Sequence, residues 1–158
     1  MKWKPALNAF AITFNVWQYY QVTGDISFLI DYGAEMLADI ARFWVSLATF
    51  DPARERYVIR GVIGPDEFHS GYPGRGYDGI DNNAYTNVMA VWTILRALEA
   101  LGIDDKDLEH WEDVSLRMFV PFHDGVISQF EGYEQLRELD WESYRTRYDN
   151  LQWLVSRC

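Results

Sequence analysis

One cysteine, the terminal Cys158, is all the thiol chemistry this 158-residue chain holds. An intrachain disulfide is excluded, the composition fits a reducing compartment, and a cytoplasmic location is the expectation. Positive charge is also scarce: 14 Lys and Arg stand against 24 Asp and Glu, a formal charge of −10. Such a surface repels nucleic-acid phosphates and anionic lipid, and no local basic patch relieves it. No uninterrupted apolar stretch reaches the roughly 18 to 20 residues of a membrane span. Neither nucleic acid nor membrane is therefore an expected partner. The three histidines, His69, His110 and His123, fall in separate segments without ligand spacing, and Asp78 and Asp81 are three apart where a calcium loop needs two. Gly71 to Gly76 carries no Gly-Lys-Ser/Thr and no dinucleotide fingerprint, and no Gly-x-Ser-x-Gly occurs. No metal and no organic cofactor is expected.

Apolar and aromatic residues are abundant: 49% of the chain is hydrophobic, with 7 Trp, 10 Tyr and 9 Phe. That is enough for a core without staples. Helical spacing runs from about Leu7 to Val22, with Phe10, Phe14, Trp17 and Val22 on the apolar side, and Gly24 stops it. Asp25 caps a second helix whose stripe Leu29, Tyr32, Met36, Leu37, Ile40, Phe43, Trp44 and Leu47 reaches about Phe50, before Asp51-Pro52 breaks it. Joined by a tight turn, the two make an antiparallel pair. Arg56 to Ile63 is β-branched and short, an extended arm. Gly64 to Gly79 is a long irregular loop. A helix over about Asn83 to Leu101 buries Val88, Met89, Trp92, Leu95 and Leu98. The next starts at Asp104 or Asp105 and buries Leu108, Trp111, Val114 and Met118. Gly125 to Phe130 is a second extended piece, and Asp140 caps a last helix. About five paired helices without strand–helix alternation give an all-α architecture, and periodicity alone does not separate a TPR-like solenoid from a toroidal helical barrel.

Two segments concentrate chemistry. Asp66 and Glu67 follow Gly64-Pro65 in a loop flanked by Tyr57, Phe68, Tyr72 and Tyr77. As a bare tripeptide Pro-Asp-Glu is ordinary turn chemistry. The functional reading is an aromatic wall that desolvates one carboxyl and keeps it protonated near neutral pH as a general acid. Asp81-Asn82-Asn83-Ala84-Tyr85-Thr86-Asn87 stands at a helix start. Capping explains one or two of its amides, and the rest suit sugar hydroxyls, which both donate and accept hydrogen bonds.

The stretch Tyr57 to His69, with Gly64-Pro65-Asp66-Glu67-Phe68 at its centre, followed by Asp81 to Asn87, resembles the central motif of glycoside hydrolase family 65. Asn15 to Asp25, Tyr32 to Glu35, Ala41 to Trp44 and Gln129-Phe130-Glu131-Gly132-Tyr133 are similar to the same family, in the same order. The resemblance covers nearly the whole chain, fading before Thr13 and after Gln152. That family contains maltose, trehalose, kojibiose and nigerose phosphorylases and some trehalose-type hydrolases, built on a catalytic (α/α)6 barrel. It implies that Glu67 is the proton donor, with Asp66, His69, Asn82, Asn83 and Asn87 as substrate-binding neighbours. It also implies a disaccharide and inorganic phosphate as the molecules bound.

Family members are several times longer. Their N-terminal β-sandwich, a Trp-Asp pair upstream and a Lys-Gln-Ala-Asp motif downstream have no counterpart here. The chain is thus expected to be a fragment of one (α/α)6 domain: an incomplete barrel with a long loop, two extended arms and apolar helix faces open to association. The implied activity is inverting phosphorolysis of an α-linked glucose disaccharide of trehalose or maltose type. A trehalose-type α-glucoside hydrolase and a non-catalytic, sugar-binding remnant are the alternatives.

Overall fold

A computed structural model describes residues 4–65, 71–72, 78–101 and 107–148. Helix α1 (Lys4–Thr23) ends at Gly24, whose φ of +66° is the left-handed stop and whose N–H donates to Tyr20 O at 2.8 Å. Asp25 caps the second helical rod, its Oδ1 accepting from the Phe28 N–H at 3.0 Å. That rod is a run of α2 (Ile26–Phe28), a π-helical turn (Leu29–Gly33) and α3 (Ala34–Leu47), with helical backbone at both joints. Contacts between α1 and this rod step apart in opposite directions: Tyr19 meets Phe28, Val16 meets the Gly33 position, and Phe10 stacks on Trp44 with ring centroids 4.3 Å apart. The two are therefore antiparallel, as their tight turn implies.

Helix α4 (Ala84–Leu101) lies parallel to α1, since Phe10 pairs with Tyr85, Phe14 with Trp92, and the Arg96 guanidinium sits 4.8 Å over Trp17. It packs against α3, and the buried cluster joins Phe10, Trp17, Leu37, Ala41 and Trp44 to Ala90, Ile94 and Ala97. Helix α5 (Leu108–Arg117) adds Trp111 and Val114, and Met118 just beyond it is buried too. Asp140 does cap the last helix, α6 (Trp141–Tyr148), accepting from Ser143. The described part of the chain is thus mostly helical.

The buried faces differ from the periodic reading. Phe14, Val22, Tyr32, Met36, Val88 and Leu95 are all exposed, Val22 at 80%. In their place Thr13, Gly33, Ala38, Ala41, Ala90, Thr93 and Ala97 face inward. Close approach of the helices decides this. A Cβ on Gly33 would stand 3.0 Å from Leu29 Cδ1 and 3.2 Å from Val16 Cγ1. Small residues leave room for neighbouring side chains such as Leu29 and Val16, and the bulkier apolar ones are turned outward.

The second helix also ends three residues before Phe50. Pro52 drives Asp51 out of the α region, and β1 (Thr49–Asp51) pairs antiparallel with β2 (Arg56–Val58), Phe50 opposite Tyr57. This hairpin is fastened to α5: the Tyr57 hydroxyl donates to Asp113 Oδ2 at 2.8 Å, and the Phe119 N–H donates to Tyr57 O. Arg117 closes on the same carboxylate and lies over the Phe50 ring. In the second extended region β3 (Phe122–His123) pairs with β4 (Val126–Ile127). Its turn residues Asp124 and Gly125 both take positive φ, the geometry a two-residue hairpin demands.

Candidate active site

The long loop opens and closes through one stem. Val62 and Ile80 exchange both backbone hydrogen bonds, at 3.0 and 2.8 Å. Behind them Gly61 and Gly79 cross at a separation that admits no side chain: a Cβ on Gly79, at φ +95°, would lie 2.4 Å from the carbonyl carbon of Gly61. Gly71 bridges to Gly79, and the Tyr72 hydroxyl donates to Glu131 O at 2.6 Å while accepting from the Asp81 N–H at 3.0 Å. The loop is therefore fixed at its mouth and at Tyr72. Asp66, Glu67 and His69 lie outside the described residues.

Beneath the stem the asparagines form a knot. Asn82 is fully buried at φ +47°, a left-handed conformation that Asn tolerates better than most side chains. Its Oδ1 accepts from the Ile59 N–H at 3.1 Å and from Asn87 Nδ2 at 3.3 Å, and its Nδ2 donates to Glu131 Oε2 at 2.6 Å. Asn83 caps α4, its Oδ1 accepting from the Thr86 N–H at 2.9 Å, and its Nδ2 donates to Gln129 O at 3.0 Å. Asn87 Nδ2 donates to Phe119 O at 2.7 Å. All three side chains join protein to protein, and none is more than 1% exposed.

Glu131 ties the knot to the β1–β2 hairpin, since Arg54 donates to its Oε1 at 2.5 Å. That bond, with the one from Asn82, holds the Glu131 carboxyl below the usual carboxylate range against the opposing effect of burial. Arg54 in turn lies 4.9 Å over the Phe119 ring.

On the open side of this scaffold is a cavity of about 510 Å³, lined by Pro65, Asn83, Tyr85, Ile127, Ser128 and Gln129 among others. It joins the loop's first strut, the α4 N-terminus and the end of the β3–β4 hairpin. Among the described residues no three His, Cys, Asp or Glu side chains gather to hold a metal ion, and no helix is long and apolar enough to cross a membrane.

Residues 6–157 match the model of the glycosyl hydrolase family 65 central catalytic domain. The chain belongs to glycosyl hydrolase family 65. It is 64% identical over 90% of its length to an uncharacterized glycosyl hydrolase of Mycobacterium tuberculosis, of which it spans 12%. Against the trehalose 6-phosphate phosphorylase of Lactococcus lactis it is 37% identical over 89% of its length, spanning 19% of that protein. Against the kojibiose phosphorylase of Thermoanaerobacter brockii it is 36% identical over 77% of its length, spanning 17%. A solved structure, "Putative kojibiose phosphorylase from human microbiome", superimposes with a TM-score of 0.72 over 85% of this chain and 19% of that one, a likeness of fold at 22% identity. The chain thus spans a fifth or less of these relatives.

Of the family 65 site residues read from sequence, the structure brings Asn82, Asn83 and Asn87 together, and among the described ones Asn83 alone lines the cavity. Glu131, Arg54 and Tyr72 brace the site, and sequence reasoning does not single them out as site residues. Glu131 lies within the Gln129 to Tyr133 motif, the one signal that marks it. Tyr85, Ser128 and Gln129 line the cavity, and only their membership or neighbourhood of motifs points to them.

Proposed function

We propose that this chain is the acid-bearing part of an inverting α-glucoside phosphorylase and that Glu67 is the proton donor. The observation that carries the reading is Pro65 on the cavity wall. Glu67 follows Pro65 by two residues in the sequence, within the Gly64-Pro65-Asp66-Glu67 stretch that resembles the family's motif. Membership of family 65 and the phosphorylases among its relatives supply the reaction class. By the same resemblance the chain forms part of a single (α/α)6 domain, and the helical match to a family structure supports that.

Inversion by hydrolysis needs two carboxyl groups, one to protonate the leaving oxygen and one to activate water on the opposite face. Phosphorolysis needs one. Phosphate is already anionic and attacks the anomeric carbon itself as Glu67 delivers its proton to the departing glycosidic oxygen. The C–O bond to the second sugar breaks, a bond from phosphate oxygen to carbon forms, and an α-glucoside yields β-glucose 1-phosphate. In this reading Asn82, Asn83 and Asn87 act by holding the loop stem and Gln129 in place.

The test uses the full natural polypeptide that carries this sequence, supplied with phosphate and kojibiose, trehalose or maltose. Glu67→Gln lowers release of β-glucose 1-phosphate by roughly 10²- to 10⁴-fold, the ordinary worth of a general acid. Unchanged turnover in that variant would remove Glu67 from the role. Phosphate-independent release of free glucose would make the protein a hydrolase instead.

A further inference from the structure

Resting on the reading above, we propose that Tyr85 and Gln129 are the residues of this stretch that touch the sugar, Tyr85 as a stacking face and Gln129 as a hydrogen-bonding amide. Within the first turn of α4, Ala84, Thr86 and Asn87 are buried, yet Tyr85 between them is 44% exposed on the cavity wall. Its ring is not loose. Phe10 meets it at 5.9 Å and 84°, and Phe10 is itself stacked on the fully buried Trp44. The core therefore steadies one side of an aromatic ring whose remaining surface is open.

Gln129 shows the same division between a fixed base and an open end. Its carbonyl accepts from both Asn83 Nδ2 and the Ala84 N–H, at 3.0 and 2.9 Å, and the preceding Ser128 N–H donates to Pro121 O. Its neighbours Ser128 and Phe130 are buried, whereas Gln129 is exposed and lines the cavity. Among the described residues its side-chain amide makes no hydrogen bond, and an amide offers two donors and an acceptor to a ligand.

A pyranose offers an apolar C–H face and a rim of hydroxyls that donate and accept. An aromatic ring beside a rigidly based amide complements both, in a cavity within the roughly 300–1,000 Å³ of small-molecule sites. Asn82, Asn83 and Asn87 carry the same amide chemistry, but each donates its amide N–H within the protein and is at most 1% exposed.

The experiment measures D-glucose and kojibiose binding by calorimetry in the full natural polypeptide carrying Glu67→Gln, which binds without turning over. Tyr85→Ala weakens binding about 10- to 100-fold and Tyr85→Phe less than about 3-fold, because the ring and not the hydroxyl makes the contact. Gln129→Ala weakens it about 5-fold, the worth of one neutral hydrogen bond. Unchanged affinity in Tyr85→Ala with native circular dichroism overturns the proposal, as does a change in association state alone, which would make Tyr85 part of a packing face. If Tyr85→Ala does not fold, Gln129→Ala carries the test, and its unchanged affinity is the overturning result. Should Glu67→Gln retain full turnover while Tyr85→Ala loses sugar, the proton-donor reading fails and the sugar contact stands.

Discussion

Replacing Asn82 by alanine tests whether the knot beneath the loop is structural. The Ile59 N–H, which Asn82 Oδ1 satisfies at 3.1 Å in a fully buried place, loses its acceptor, at a cost of about 1–3 kcal/mol. Alanine at φ +47° adds about 1 kcal/mol of left-handed strain beyond what Asn bears. The lost donor to Glu131 contributes little, because that carboxylate is about a third exposed and water replaces the bond. The sum is about 2–4 kcal/mol, a large part of the roughly 5–15 kcal/mol of an ordinary domain. With a urea slope of about 2 kcal/mol per molar, the midpoint falls by about 1–2 M. Asn82→Gly separates the two terms: it loses the same acceptor but not the backbone conformation, and should regain about 1 kcal/mol over alanine. Urea titrations of wild type, Asn82→Ala and Asn82→Gly followed by tryptophan fluorescence decide it. An alanine variant as stable as wild type, or more stable than the glycine variant, would refute the reasoning.

Gly79→Ala drives a methyl into the Gly61 carbonyl and also requires φ +95° of a side-chain residue, so it should destabilise by more than about 3 kcal/mol and lower the soluble yield. For Glu131, whose carboxyl is depressed, the stabilisation is whole above the ordinary value of 4.5 and disappears as pH falls through the lower folded value. Arg54→Met removes the main cause of that depression, so the gap between its urea midpoint and that of wild type narrows on acidification below pH 4.5; a constant gap would count against the pairing. Thr93 is fully buried and its hydroxyl finds no partner among the described residues, so Thr93→Val, which keeps the shape, should raise the melting temperature by about 2–4 °C for each kcal/mol recovered.

Helix positions were legible because their punctuation is local. Gly24, Asp25 and Asp140 act where a stop and two caps are needed, and each does so through bonds to its own neighbours. Helix faces were less so, because hydrophobicity ranks Phe14, Met36 and Leu95 above Ala41, Ala90 and Thr93, whereas packing distance ranks them the other way. The π turn compounds this, since one extra residue per turn at Leu29–Gly33 rotates α3 relative to an α-helical count. At the site, asparagines at a helix start read first as caps and second as ligands, and the long-range partners of each amide, such as Glu131 and Phe119 O, are not written in the local pattern. Arg54 and Glu131 are 77 residues apart, a pairing no local pattern contains.

The crossed glycines and the Tyr72 anchor make the loop two separate spans, one from Pro65 to Gly71 and one from Tyr72 to Asp78. The Val62–Ile80 and Gly71–Gly79 bridges and the Tyr72 hydroxyl are the points at which the described residues tie them to the rest of the fold. Doubling the length of such a span costs only about 0.6 kcal/mol in closure entropy. A change of length in either span is accordingly expected to leave the stem, the knot and the helices in register. The stem thus sets where the loop leaves and rejoins the fold, whatever the length between.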